Sequence, residues 1–315
     1  MRIIDRLAVE NAASLSEWTE AMEQAILKSL SEDVMVPQRS HLDKGDDTFL
    51  IMPCIDDRYW STKLVSFCPG NREKDLPSIF GTVVLNSSVT GEPLAIIDGT
   101  TLTTYRTAAV SALGIKYLTD ENIHSLGIIG TGIQGIRQAV FACSVRPIKK
   151  IHIYDMSVTA MSGFENELKQ LLPDIGIRKM NNPAGVCVES SVIITATNSK
   201  YPVFPENPDL FLNKTFIGIG SYKPEYREYP DTFFRCTGQI FTDTLQGLSE
   251  SGDLIYPLQM NLIKREKIYS LGSLIKKDIS LSGDKTRFFK TVGSAIFDLY
   301  AARLVYEKSI PGSFE

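Results

Sequence analysis

The chain has 315 residues, 43% of them hydrophobic and 22% charged, an ordinary globular composition with room for two domains and no signature of disorder. A formal net charge of −4 at pH 7, with no run of Lys or Arg, leaves no electrostatic footprint for nucleic acid, and no stretch of roughly 18 apolar residues points to a membrane. The first residues, Met1-Arg2-Ile3-Ile4-Asp5, carry neither the apolar core of a signal peptide nor a transit-peptide pattern, so a cytoplasmic protein is expected.

In chain order, the first predicted element is a helix over 16–30, where Met22, Ala25, Ile26 and Leu30 recur near helical spacing. Segments 48–52, 60–67, 79–86 and 93–97 read as antiparallel strands separated by polar turns. The Ala-rich run 102–118 has few breakers and reads as a helix handing over to a second domain. From about residue 120, short apolar strands alternate with helical stretches, the pattern of a parallel α/β sheet. Strands are expected at 126–129, 150–154, 175–179, 192–195, 215–219 and 240–243, with a helix at 136–145. Segment 292–307 places Ile296, Leu299, Tyr300, Arg303 and Leu304 at helical offsets, and this helix is expected to return to the first domain. The expected division is 1–115 with 295–315 as one domain and 116–294 as the other.

The five cysteines are odd in number, widely spaced and without a C-x-x-C pair, so they read as reduced core thiols. The three histidines, His41, His124 and His152, form no ligand spacing, and no metal is expected.

The most specific signal is Gly130-Thr131-Gly132-Ile133-Gln134-Gly135, which follows the apolar strand at 126–129 and opens a helix. Gly130 permits a tight turn, Gly132 lets a pyrophosphate approach the backbone, and Gly135 allows helix and strand to pack closely, while the helix N-terminus supplies unpaired N–H groups. The next strand ends in Asp155, about 20 residues past Gly135. A carboxylate there accepts ribose hydroxyls but repels a 2′-phosphate, and no Arg or Lys follows in Met156-Ser157-Val158-Thr159, so NAD(H) is the expected cofactor. The ends of the fourth and fifth strands, Thr195 to Asn198 and Gly218 to Ser221, are expected to face its nicotinamide half.

The run L-A-I-I-D-G-T-T-L-T-T-Y-R-T-A-A-V-S-A-L at 94–113, with K-L-V-S-F-C-P-G-N before it, G-I-I-G-T-G-I-Q-G after it and F-K-T-V-G-S-A-I-F-D-L near the end, resembles the ornithine cyclodeaminase/μ-crystallin family over nearly the whole chain. The resemblance implies an α/β protein with a Rossmann domain for NAD(P) and an α+β substrate and dimerisation domain, assembled as a homodimer. It implies hydride-transfer chemistry on a small amino or imino acid. It places Arg39, Lys63 and Arg106 as the substrate clamp, with Lys63 and Arg106 catalytic; guanidinium forks suit a carboxylate, and a desolvated lysine suits proton transfer. Ser78, Ile133, Gln134, Thr197, Thr291 and Val292 join Gly130, Gly132, Gly135, Asp155 and Gly218 as cofactor contacts. Taken singly, each cation also reads as a surface or ion-pair residue, Ser78 as a turn hydroxyl and Thr197 as a strand-end cap. Tyr59, Trp60, Phe67, Phe80 and Tyr222 are either pocket walls or ordinary core and interface aromatics.

The chain departs from the cyclodeaminase pattern twice. An aspartate after the fifth Rossmann strand becomes Ser221 in G-I-G-S-Y-K-P-E-Y-R-E, which takes that substrate-side place, and an acid two residues before Met-Pro becomes Leu50. Cyclodeamination must orient a distal amine and manage its protons, whereas reduction of a preformed cyclic imine needs a carboxylate clamp, a proton and a hydride. The expectation is therefore an NAD(H)-dependent reductase of a small cyclic α-imino acid such as Δ1-pyrroline-2-carboxylate, giving L-proline. Ornithine cyclodeaminase stays open through Glu225, Glu228 or Asp231, as do an alanine dehydrogenase-like oxidoreductase and a binding protein that keeps the dinucleotide site without catalysis.

Overall fold

The computed structural model describes residues 1–74, 76–283 and 286–310, without the Arg72 side chain. The chain divides into two compact units, 1–106 with 294–315, and 107–293. The first boundary falls inside the helix at 99–118, whereas the sequence reading put it at 115, nearer the end of the same helix.

The first unit opens with β1 (Arg2–Ile4), α1 (Arg6–Glu10) and α2 (Leu15–Lys28). It continues through β2 (Ser40–Lys44), β3 (Asp47–Ile55), β4 (Tyr59–Phe67), β5 (Ile79–Ser87), β6 (Pro93–Asp98) and the start of α3 (Gly99–Leu118). α2 begins with a reciprocal cap between Ser14 and Glu17, which satisfies two orphan donors. Its stripe of Trp18, Met22, Ala25 and Ile26 is buried. The sheet order is β1-β6-β5-β4-β3-β2, antiparallel except for the parallel β1–β6 pair. β1 and β2 lie outside the four strands read from the sequence. β1 is three residues long, and β2, Ser-His-Leu-Asp-Lys, is exposed throughout, so neither carries an apolar period.

The second unit runs through β7 (Ser125–Ile129), α4 (Ile133–Val145), β8 (Lys150–Tyr154), α5 (Val158–Leu171), β9 (Gly176–Lys179), α6 (Pro183–Glu189) and β10 (Val192–Thr195). It continues with β11 (Thr215–Gly218), α7 (Asp231–Cys236), β12 (Gln239–Thr242), α8 (Gly252–Gln259), β13 (Ile268–Ser270), α9 (Leu271–Ile275) and β14 (Arg287–Lys290). The six expected strands are present, but the sheet has eight, all parallel, in the order β13-β12-β14-β11-β10-β7-β8-β9. The late strand β14 inserts between β11 and β12. It is four residues long, with Arg287 and Lys290 at its ends, and this hid it in the sequence. Phe204, Phe211, Phe216, Tyr229, Phe233 and Phe288 fill the core beside these strands.

The final helix, α10 (Ala295–Lys308), belongs to the first unit and packs on α2, β3, β4 and β5. Among the described residues, no helix is long and apolar enough to cross a membrane.

Candidate functional site

In the second unit, the chain leaves β7 for β8 and β9 on one side and then returns to β10 on the other. The carboxyl ends of β7 and β10 are thus a topological switch point, where an open α/β sheet leaves a crevice. The glycine-rich turn lies there. Gly130 has φ +97°, and a Cβ on it would meet Ala196 O at 2.5 Å, while a Cβ on Gly135 would meet Gly130 O at 2.4 Å. Both therefore require glycine. Gly132 differs, because a Cβ there would enter open space with nothing within 4 Å, room that a ligand backbone approach would use. Gly132 caps α4 without a side-chain bond, leaving the first N–H groups of that helix, from Ile133 and Gln134 onward, directed outward. Gln134 Oε1 is buried with no hydrogen-bond partner among the described residues. An uncapped helix start and an open glycine together fit a dinucleotide pyrophosphate, whose oxygens accept from free N–H groups, whereas Gln134 Oε1 is an acceptor and needs a donor that a pyrophosphate does not carry.

Asp155 accepts from Thr131 and, through Oδ1, from Ser157 N at 2.9 Å. On the far side, Glu228 is fully buried and receives four hydrogen bonds: Thr195 Oγ1 at 2.8 Å, Thr197 N at 2.9 Å, Thr197 Oγ1 at 2.7 Å and Gly220 N at 3.0 Å. Asp253 in turn accepts Glu228 N at 2.8 Å and lies 3.4 Å from Lys290 Nζ. Burial pushes both carboxyls up, against the pull of Lys290. Glu228 is thus a strut under the ends of β10 and β11. Asp231 pairs with Arg227 at 2.7 Å, and Glu225 is exposed. Ser221 is buried; its hydroxyl donates to Tyr226 O, lies 3.0 Å from Ser251 Oγ and accepts Asp253 N at 3.3 Å. Gly218 packs under the Phe288 and Tyr229 rings. Thr291 Oγ1 donates to the buried Asp243, which also takes Gly293 N at 3.0 Å, so Asp243 fixes the turn that carries Val292.

The first unit gathers the cations. Lys63 on β4 is 2% exposed; its Nζ donates to Asp298 Oδ1 at 2.8 Å and lies 2.8 Å from Oδ2. Arg106 Nε on α3 donates to the same Oδ1 at 3.1 Å, and Thr103 Oγ1, one turn earlier, accepts from Lys63 at 3.5 Å. Burial lowers Lys63 to about 8, with Asp298 opposing and Arg106 and Arg39 assisting. Arg39, just before β2, is therefore within electrostatic range of that ammonium. Leu50 pairs with Val65 on the Lys63 face of the sheet, next in line after Met52, which pairs with Lys63 itself. An acid at that position would face the clamp, whereas this chain presents an alkyl group. Ser78 precedes β5 in this unit, and its carbonyl accepts Cys68 N at 2.8 Å.

Of the candidate aromatics, Tyr59 and Phe67 share the Lys63 face by strand alternation, and the Tyr59 hydroxyl donates to Glu307 at 3.0 Å. Trp60 and Phe80 lie on the opposite, exposed face. Tyr222 stands edge-on to Tyr226 in the second unit.

Asp298 escaped the sequence reading. Its signal was a lone acid among Ile296, Phe297, Leu299 and Tyr300 in a helix buried nearly all round, because a charge there demands a partner. Asp243 and Asp253 escaped as site-shaping groups, and Glu228 was expected only as a possible substrate-side acid, because partners such as Thr195, Thr291 and Gly293 lie far off in sequence. Among the described residues, no group of three or more His, Cys, Asp or Glu side chains is placed to hold a metal ion.

A glycine-turn crevice on a parallel doubly wound sheet, with a separate unit carrying a buried cation clamp, defines an α/β dinucleotide-binding protein of the substrate-domain type. The chain belongs to the ornithine cyclodeaminase/mu-crystallin family, whose model matches residues 2–313. It is 31% identical to a Δ1-pyrroline-2-carboxylate reductase of Bacillus cereus, over 98% of this chain and 97% of the relative. The structure matches that of Thermococcus litoralis Δ1-pyrroline-2-carboxylate reductase in complex with NADH and L-proline, with a TM-score of 0.92 at 29% identity, covering 98% and 97% of the two chains. An archaeal alanine dehydrogenase dimer with bound NAD matches with a TM-score of 0.89 at 25% identity, covering 98% and 95%.

Proposed function

We propose that this protein is an NAD(H)-dependent reductase of a small cyclic α-imino acid, with Δ1-pyrroline-2-carboxylate as the substrate and L-proline as the product. The observation that carries the reading is the makeup of the clamp face: Lys63 and Arg106 held together by Asp298, with Leu50 where a distal amine would need an acid. The names of the relatives support the same substrate. Gly130, Gly132, Ile133, Gln134, Gly135 and Asp155 would hold the cofactor, joined by Ser78, Thr197, Gly218, Thr291 and Val292. When bound, the nicotinamide supplies a hydride to the imine carbon.

The chain's own groups do the rest. Arg39 and Arg106 bind the substrate carboxylate, matching its two oxygens with guanidinium donors. Lys63 gives a proton to the imine nitrogen: one lysine N–H bond breaks, one substrate N–H bond forms, and solvent restores the ammonium. In this reading Ser221 contributes by offering no carboxylate, its hydroxyl being engaged within its own loop. Glu228 cannot act in place of the missing acid while it supports four donors.

We also infer a homodimer through the outer face of the first sheet, where Leu42, Phe49, Ile51, Trp60, Leu64 and Phe80 share one exposed side, an apolar patch of the kind that marks an interface. The free cysteines fit a cytoplasmic setting.

The test is NADH oxidation with Δ1-pyrroline-2-carboxylate, run beside ammonia release from L-ornithine with NAD+ and NADH oxidation with pyruvate plus ammonia. Oxidation with the imine alone supports the reading. Ammonia from ornithine, or turnover only with pyruvate plus ammonia, overturns it.

A further inference from the structure

In the clamp, one carboxylate serves two cations. Asp298 is 0% exposed on a helix whose flanking residues are apolar, so its charge is balanced by Lys63 and Arg106 rather than by water. We propose that Asp298 is a positioning residue for imine reduction: it keeps the Lys63 ammonium charged and fixes it beside Arg106, so that Lys63 has a proton to give while Arg106 takes the substrate carboxylate. The inference rests on the imine-reductase reading.

The groups facing Lys63 come from five segments. Arg39 precedes β2, Cys54 lies on the same face of β3, Ser61 and Val65 flank it on β4, Thr103 and Arg106 come from α3, and Asp298 comes from α10. Burial keeps the Cys54 thiol neutral, and Asp56, at the end of the strand region, is occupied by the N–H groups of Arg58 and Tyr59. Asp298 is therefore the anion in direct contact with the ammonium, set against two guanidinium groups. Desolvation and like charge both favour the neutral amine. A neutral lysine keeps the clamp's shape but has lost the proton that the imine nitrogen requires. Geometry adds to charge: lysine has a flexible four-carbon stem, and the hydrogen bond to Asp298 Oδ1, with Oδ2 in ion-pair contact at 2.8 Å, holds the end of that stem in one place.

Asp298 itself does not transfer the proton. The hydride joins carbon, the Lys63 proton joins nitrogen, the imine is reduced and the dinucleotide oxidised, and Asp298 keeps its contacts with Lys63 and Arg106.

The experiment uses the full chain labelled with 13C at lysine Cε, the Lys63 resonance being identified by its loss in K63R. In D298N the Lys63 titration midpoint is expected to fall by roughly one to three pH units. The alkaline limb of kcat/KM for Δ1-pyrroline-2-carboxylate should move down by the same interval, while NADH affinity, read by fluorescence titration, stays at the wild-type value. D298E keeps the charge but displaces it by one methylene, so its midpoint should stay within about one unit of wild type while kcat falls at least about tenfold. An unmoved Lys63 midpoint in D298N overturns the proposal, and so does wild-type kcat in D298E. If the midpoint moves in D298N but the wild-type protein reduces no imine, the contact stands and the reductase reading falls. If D298N does not fold, the D298E pair of readouts decides.

Discussion

The carboxylate of Asp155 accepts both the backbone N–H of Thr131, at 2.8 Å, and its hydroxyl, at 3.1 Å, so the end of β8 is tied directly to the glycine turn after β7. The same acid is the group that would accept ribose hydroxyls. D155S should therefore lower kcat/KM for NADH by about tenfold to a hundredfold, the worth of a charged hydrogen bond, and raise NADPH use relative to NADH. Initial rates with both cofactors check this, and an unchanged ratio would reject the role.

Gly132 and Gly130 separate cofactor approach from folding. A Cβ on Gly132 meets nothing within 4 Å, so G132A should change the unfolding free energy from urea titration by less than about 1 kcal/mol, yet NADH binding should weaken by at least about tenfold. G130A combines a φ of +97° with a clash at Ala196 O and should cost about 1–3 kcal/mol in the same titration.

Lys63 ties activity and stability to pH with opposite signs. Because its ammonium loses a proton at about 8 in the fold, kcat/KM on the imine should fall as pH rises through about 8. The unfolded lysine keeps its proton up to the ordinary value of 10.5. Between these two values the unfolded chain binds more protons, so this residue's contribution to folding stability rises with pH. Denaturant titrations at about pH 7.5 and about pH 10, below and within the interval between the folded and unfolded values, should show that rise in wild type and its loss in K63M. The same K63M protein should lose about a hundredfold or more in kcat with little change in NADH affinity.

Restoring the cyclodeaminase aspartate should damage the fold before it changes the substrate. Ser221 is buried beside Asp253 and against the Tyr226 carbonyl, so S221D adds an uncompensated charge costing about 3–5 kcal/mol. Urea unfolding measures the cost, and a wild-type midpoint would show that the loop opens to accept the acid.

The outer sheet face predicts assembly. L64K places a charge between Ile51 and Thr82, its register partners on the exposed side, and should convert the proposed dimer to a monomer in light scattering at micromolar concentration. A wild-type protein that is already monomeric would remove the dimer from the proposed function.

Much of the architecture was legible in the chain. Helical stripes such as Trp18, Met22 and Ile26, and apolar strands such as Leu126 to Ile129, arise from local periodicity that burial on one face or both enforces. The glycine turn was equally readable, because φ at Gly130 and the close approach at Gly135 leave no other residue. Strands with no period stayed hidden: β2 is exposed along its length, and β14 is a four-residue segment that takes its place only by pairing with β11 and β12.

The sequence by itself determined the dinucleotide turn, since Gly130 to Gly135 rests on spacing within a single segment, whereas the clamp cations Arg39, Lys63 and Arg106 lie far apart in the chain and were named only by resemblance to a family. Only the tertiary structure decided what those residues do to one another. Asp298 meets Lys63 across 235 positions of chain, Glu228 turns inward to carry Thr195, Thr197 and Gly220, and Leu50 falls on the Lys63 side through strand register. Electrostatics and hydrogen bonding act over a few ångströms of space, and the distance between two groups along the chain carries no information about that until the sheet has set its register and the last helix has come back.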